Sequence, residues 1–203
     1  MKSKTLLQCC CTCLAALLAF ASCTFAVRPQ PCPLIQNQNK IDLALGLLID
    51  DAQVRQVHSQ SGLAAVGMVH TWRIETGMAL RIGAENTFRA LFTKVDVVRS
   101  KTEFRDKALM LVVAPRISRF TVDQSLAAQL NLQCKLTDRD GKVLYENTIP
   151  ASGSSHSGAG CLMGVWGGET SLRENTNEAF NQAFVLLAAD MMKKVDFGPY
   201  LGQ

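Results

Sequence analysis

The N-terminal 22 residues restrict this chain more than any other part of it. Met1-Lys2-Ser3-Lys4 is a short basic head, residues 5–21 are mostly apolar and carry no charge, and small residues follow at Ala21 and Ser22. A charged head, an apolar middle and a small-residue exit are the layout of a bacterial export signal. The apolar run is too short and too rich in cysteine for a membrane span. Whatever follows such a leader folds outside the cytoplasm. Two cleavage points are open, one before Cys23 and one after Thr24-Phe25-Ala26.

The order Phe20-Ala21-Ser22-Cys23 resembles the lipobox of bacterial lipoproteins, with Phe20 where Leu is usual. The resemblance implies cleavage before Cys23 by signal peptidase II, with palmitate or similar acyl groups on that cysteine. Thr24 after it, rather than Asp, resembles lipoproteins sorted onward to the outer membrane. The expected division is a signal peptide at 1–22, a lipidated tether at 23–40 and one domain at 41–203. Removal of the leader leaves about 180 residues, enough for one core. The formal charge of +4 falls by two as Lys2 and Lys4 leave. With basic residues scattered, that balance is no nucleic-acid footprint. Five of the eight cysteines lie in the leader and lipobox, leaving Cys32, Cys134 and Cys161. Their spacing matches no zinc framework. Cys134 and Cys161 form a candidate disulfide, which would pin a loop to a strand.

Residues 24–40 hold Pro29, Pro31 and Pro33 among Gln and Asn, and are expected to stay unfolded off the membrane. From 41 to 49, Ile41, Leu43, Leu45, Leu47 and Ile49 alternate with the even positions, the period of a strand. A second extended piece is expected over 65–74, with Met68, Trp72 and Ile74 on one face. Residues 78–95 change to helical period, with Met78, Ile82, Phe88, Leu91, Phe92 and Val95 near one face. Gly77 and Gly83 weaken that helix's start. A short strand is expected at 96–99 and an apolar one at 109–117, with Pro115 near its end or at a bulge. Ala128, Leu130, Leu132, Cys134 and Leu136 alternate cleanly with polar neighbours, and Asp140-Gly141 turns the chain into a hairpin partner over 142–149. A Gly/Ser-rich loop over 151–170 then leads to a capping box at Ser171 and Glu174. An apolar stripe from Leu172 to Val195 follows, with Lys193 and Lys194 suited to a helix C-terminus. The expected architecture is a two-layer α+β sandwich: one mixed, mostly antiparallel sheet with two amphipathic helices on one face.

No catalytic constellation emerges. His58, His70 and His156 stand in separate contexts, and the tempting Ser155-His156-Ser157 lies in a flexible polar loop. There is no nucleophile elbow or phosphate loop. His58 is expected at the surface, His70 partly buried and hydrogen-bonded. No cofactor and no metal is expected. Within the long loop, Leu162, Met163, Val165 and Trp166 are apolar among glycines. They either fold back as core or form an exposed contact for a partner or membrane surface, with Trp166 as its anchor.

Leader, lipobox, Pro/Gln tether, strand, helix, antiparallel strands with an Asp-Gly turn and a long last helix together resemble small bacterial envelope lipoproteins. The layout is similar to the YajG-type lipoproteins, to the lipopolysaccharide-assembly lipoprotein, and to the auxiliary lipoproteins of ABC-type transporters. The resemblance implies a non-catalytic protein, anchored through Cys23 and working through an envelope protein or lipid. It also implies a place at the outer membrane facing the periplasm. An auxiliary role in an envelope transporter or secretion machine is the alternative, and a periplasmic hydrolase a remoter one.

Overall fold

The computed structural model describes residues 24–35, 39–63, 70–107, 109–154 and 164–201, with backbone alone at 164–166. In chain order the elements are β1 (Thr24–Val27), β2 (Ile41–Leu48), α1 (Asp51–Val54), β3 (His58–Ser61), β4 (Thr71–Ile74), α2 (Thr76–Leu91), β5 (Phe92–Val98), α3 (Lys101–Asp106), β6 (Leu111–Val122), β7 (Ala128–Asp138), β8 (Val143–Gly153) and α4 (Gly164–Lys194), closed by a 3₁₀ turn at Gly198–Tyr200. Together they make an α+β sandwich, the expected class. Its sheet is divided in two: a five-stranded sheet in the order β5-β2-β6-β7-β8 and a three-stranded one in the order β1-β4-β3.

The alternation in β2 and β7 does what its period requires. Leu43, Leu45, Leu47, Leu130, Leu132, Cys134 and Leu136 are all buried on one face, in a single cluster with Phe88 of α2 and Phe180, Phe184 and Leu187 of α4. The even side of β2 is not left to solvent. Ala44 and Leu48 pack on a second cluster of Val98, Phe104, Leu109 and Val112, beneath α3. Parallel pairing joins β2 to both β5 and β6, and antiparallel pairing runs from β6 through β7 to β8.

Pro115 lies well inside β6, opposite Cys134, rather than at a strand end. Its carbonyl accepts a hydrogen bond from Gln53 Nε2 of α1 at 3.2 Å. In a strand the nitrogen of the same residue points the same way, and pairing with β2 has already ended at Val113. The missing donor therefore costs the ladder nothing.

Several expectations are corrected. The segment read as an unfolded tether contributes β1, which pairs in parallel with β4 from Thr24↔Thr71 to Val27↔Ile74. The first long helix ends at Leu91, and Phe92 begins β5 with no loop between. Met78 is exposed, because the buried face of α2 is set by Ala79, Leu80, Gly83, Ala84, Thr87 and Phe88. Small residues win there for a reason of space. A Cβ at Gly83 would overlap the Phe184 ring of α4, and one at Gly77 would run into the backbone of Gln53 and Val54. The strand expected from 65 is observed only over Thr71–Ile74, and 64–69 lie outside the described residues.

The largest correction concerns α4. It starts at Gly164, not at Ser171, and Ser171 is buried within it. The Ser171–Glu174 pair is therefore helix interior rather than a cap. Tertiary contact replaces the local signal: β8 runs on to Gly153, where a Cβ would collide with the backbone of Asn175 and Ala179. Asn175 Nδ2 donates to the Leu126 carbonyl at 2.9 Å, closing the β6–β7 corner onto the helix.

Candidate functional site

Between β1 and residue 35 the chain forms a strap across the helical layer. Pro29, Pro31 and Pro33 are buried while Arg28, Gln30, Cys32 and Leu34 are exposed, a period of two that needs no ladder. Proline suits such a strap, since its backbone is already restricted and it lacks the donor a lone strand could not satisfy. Three polar contacts fix it. Arg28 Nε donates to Glu75 Oε1 at 3.2 Å, the Gln30 amide donates to Asn177 Oδ1 at 2.7 Å, and Asn86 Nδ2 donates to the Pro31 carbonyl at 3.2 Å.

The strap runs parallel to α4, and simple rises give the register. Four residues of extended chain cover about 13 Å, the rise of about nine helical residues. Starting from Gln30 opposite Asn177, Leu34 should then face residue 185 or 186, and Ala26 should face 168. Leu34 lines grooves with Val185 and Leu186, and Ala26 lines one with Glu169 and Arg173. The same spacing sets Thr24 beside the first turn of α4.

At the other end of α4 the helix is apolar almost all round. Residues 183–192 contain one polar side chain, Asp190. Phe184, Leu187 and Met191 face the core, whereas Val185, Leu186 and Met192 are exposed. Val185 and Met192, with Leu34, which is 82% exposed, and with Ile35, Leu91, Ala188 and Ala189, line an open groove of about 450 Å³, and Leu186 lines the groove next to it. A helix apolar on every side is ordinarily covered on every side.

The titratable groups gathered nearby hold one another in fixed states. Asp190 accepts hydrogen bonds from Tyr145 Oη at 2.7 Å, Asn147 Nδ2 at 2.8 Å and Lys194 Nζ at 2.9 Å. Lys194 first, then Tyr145 and Asn147, bring its carboxyl down to about 2. Burial, and the Asp190 carboxylate beside it, push the Tyr145 phenol well up. A carboxylate that stays charged and a phenol that stays protonated make a clasp between β8 and α4 rather than a proton-transfer pair.

The residues singled out from sequence fall as follows. Cys23 lies outside the described residues, one step before β1. Cys134 is wholly buried on β7, and burial raises the pKa of its thiol; the candidate bridge to Cys161 involves a residue outside the described ones. Cys161, Leu162 and Met163 lie outside the described residues, as does His156. Val165 and Trp166 belong to the first turn of α4, not to a loop. His58 is half-buried rather than at the surface, edge-on to Phe120 at 5.1 Å. His70 lies edge-on to Phe25 at 5.3 Å, and its Nδ1 is buried without the expected hydrogen bond among the described residues. No three or more His, Cys, Asp or Glu among the described residues are grouped to hold a metal ion. No helix among them is long and apolar enough to cross a membrane. The strap and groove were missed from sequence, although proline at every second position was their visible signal.

No protein-family model matches this chain. No curated protein matches it either. Among solved structures, the chain is similar in outline to the PelC dodecamer from Paraburkholderia phytofirmans. One structure of it gives a TM-score of 0.43 at 12% identity, covering 74% of this chain and 93% of that one. A point variant of that dodecamer gives 0.42 at 15% identity, over 72% and 88%. Lipoprotein GNA1162 from Neisseria meningitidis gives 0.33 at 12% identity, over 56% of this chain and 84% of its own.

Proposed function

We propose that this chain is a non-enzymatic bacterial envelope lipoprotein, held to a membrane by acyl groups on Cys23, with a binding or assembly role at the outer membrane. The observation that carries the reading is that the chain is already paired into a sheet at Thr24. β1 begins at Thr24, and Phe25 stacks on the buried Trp72 with ring centroids 5.1 Å apart. A cut after Ala26 would remove three of the four paired residues of β1, whereas a cut before Cys23 leaves the sheet whole. The anchor then joins the domain with no slack between them.

The binding role is supported by the groove at the far end. Residues 185–192 lie about 30–40 Å along α4 from Trp166. Between them the helix presents Glu174, Glu178, Asn181 and Gln182, polar side chains ill suited to lying on lipid, before Val185 and Leu186 continue the same groove. The occupant of the apolar groove is therefore a protein with apolar side chains, not the bilayer. An auxiliary subunit of an envelope transporter would fit the same description and differ only in that partner.

Fatty-acid labelling, intact mass and membrane fractionation test the anchor. The mature chain should begin at acylated Cys23, and Cys23→Ala should lose both label and membrane retention. A mature chain beginning at Val27, or unchanged retention of Cys23→Ala, would overturn the reading. For the binding role, a photocrosslinker at Ala189 should capture an envelope protein in intact cells. Val185→Asp, at an exposed position on the groove wall, should abolish that capture without changing the melting temperature.

A further inference from the structure

On the sheet face opposite α2 and α4 lies a cavity that the reading above does not use. It holds about 260 Å³ between α3 and the outer side of β6 and β7. Leu48, Phe104, Val112 and Ala114 form its apolar floor, and Lys101, Arg105, Lys135 and Arg139 stand around it. Lys135 is engaged by Glu146 across the β7–β8 pair at 3.2 Å. Lys101, Arg105 and Arg139 form no ion pair among the described residues. The one carboxylate on the lining, Asp138, is spent elsewhere. Its Oδ1 accepts from the Asp140 and Lys142 amides, and its Oδ2 from the Tyr200 hydroxyl. Three uncommitted cations over an apolar floor leave an excess of positive charge in a space of small-ligand size.

We infer that this cavity is a binding site for a small organic phosphate, with the phosphate held by Arg105, Arg139 and Lys101 and the carbon body lying on Phe104 and Val112. A phosphomonoester carries close to two negative charges at neutral pH, and the planar guanidinium fork matches its oxygens. The position favours a soluble ligand over a lipid headgroup. Tyr145 pairs with Leu136 and clasps Asp190, which puts this part of β7 at the C-terminal end of α4, about 40 Å along the helix from Thr24. The distance from the membrane rests on Cys23 being the anchor; the site itself does not.

Calorimetric titration of the mature chain with glycerol 3-phosphate, inorganic phosphate and glycerol tests it. Glycerol 3-phosphate should bind saturably, inorganic phosphate more weakly for want of a body on the floor, and glycerol not at all. Arg105→Gln and Arg139→Gln should each weaken glycerol 3-phosphate by about tenfold or more with melting unchanged. Lys135→Gln should matter less, because Glu146 already holds that lysine. Absence of saturable binding, or binding indifferent to both arginine variants, would overturn the site. Flotation of Cys23→Ser protein with phosphatidylglycerol vesicles separates the ligand sources. Binding to vesicles that disappears in Arg105→Gln would mean a bilayer headgroup and overturn the soluble assignment. Failure of acylation at Cys23 with glycerol 3-phosphate binding intact would sink only the anchor.

Discussion

Replacing Gly83 with alanine sets two effects of known size against each other. In the interior of α2 an alanine is favoured over glycine by about 0.8–1 kcal/mol, through backbone entropy alone. Against that, the new methyl would overlap the ring of Phe184, which is fully buried between the two helices and has nowhere to retreat. Overpacking of this kind costs about 1–3 kcal/mol. The overlap is with the ring itself, so the upper half of that range applies and a net loss of about 1–2 kcal/mol is expected. For a domain of this size that is a fall in Tm of roughly 2–8 °C. Phe184→Leu should cost stability by itself but should vacate the space. In that background Gly83→Ala should be neutral or stabilising by up to about 1 kcal/mol, and the difference between backgrounds is the coupling energy. Urea melts of the four proteins, with equal slopes, measure it directly. A Gly83→Ala protein more stable than the parent would refute the close approach of α2 to α4.

The register of β7 is checked by Leu132→Ala, which should cost about 2–5 kcal/mol from a fully buried position. Asn131→Ala, on the other face, should stay within about 0.5 kcal/mol, and equal losses would mean a strand slipped by one residue. The depressed Asp190 carboxyl adds stability that is present above its unfolded pKa near 4 and is lost as pH falls towards about 2. Asp190→Asn should therefore flatten the acid limb of a stability profile between those values and leave the neutral region's slope alone. Thiol labelling followed by peptide mapping should modify Cys32 at once in the native protein and Cys134 only on unfolding, since one is exposed and the other buried with its thiol pushed up.

Much of the larger sheet was legible because a period of two needs nothing beyond the strand itself. Leu43 to Ile49 and Ala128 to Leu136 are inward for the reason their spacing implies, and the Asp140-Gly141 turn forms with Gly141 at a φ of 89°, which suits glycine. The α4 stripe was legible from Leu172 onward for the same reason. What escaped depends on distant partners. Gly77 and Gly83 read as weaknesses of a helix, yet they are the points where backbone or ring comes closest. Gly164, Gly167 and Gly168 read as loop, yet they start a helix whose neighbour, β8, arrives from another part of the chain. The strap escaped because buried prolines and exposed polar residues average to the composition of an unfolded tail. Only their alternation, and the two helices beneath them, tell otherwise. The groove beside Leu34 follows from the strap and could not be seen without it.

The pairing of β1 with β4 also decides how the domain answers a mechanical load. Tension applied at Thr24 along the axis of β1 strains the bonds from Thr24↔Thr71 to Val27↔Ile74 together in shear rather than peeling them one at a time. Behind them the load passes into the strap, where the Gln30–Asn177 bond hands it to the side of α4. A pull on the N-terminal end of β1 is thus met by a lap joint backed by α4, and the larger sheet is spared.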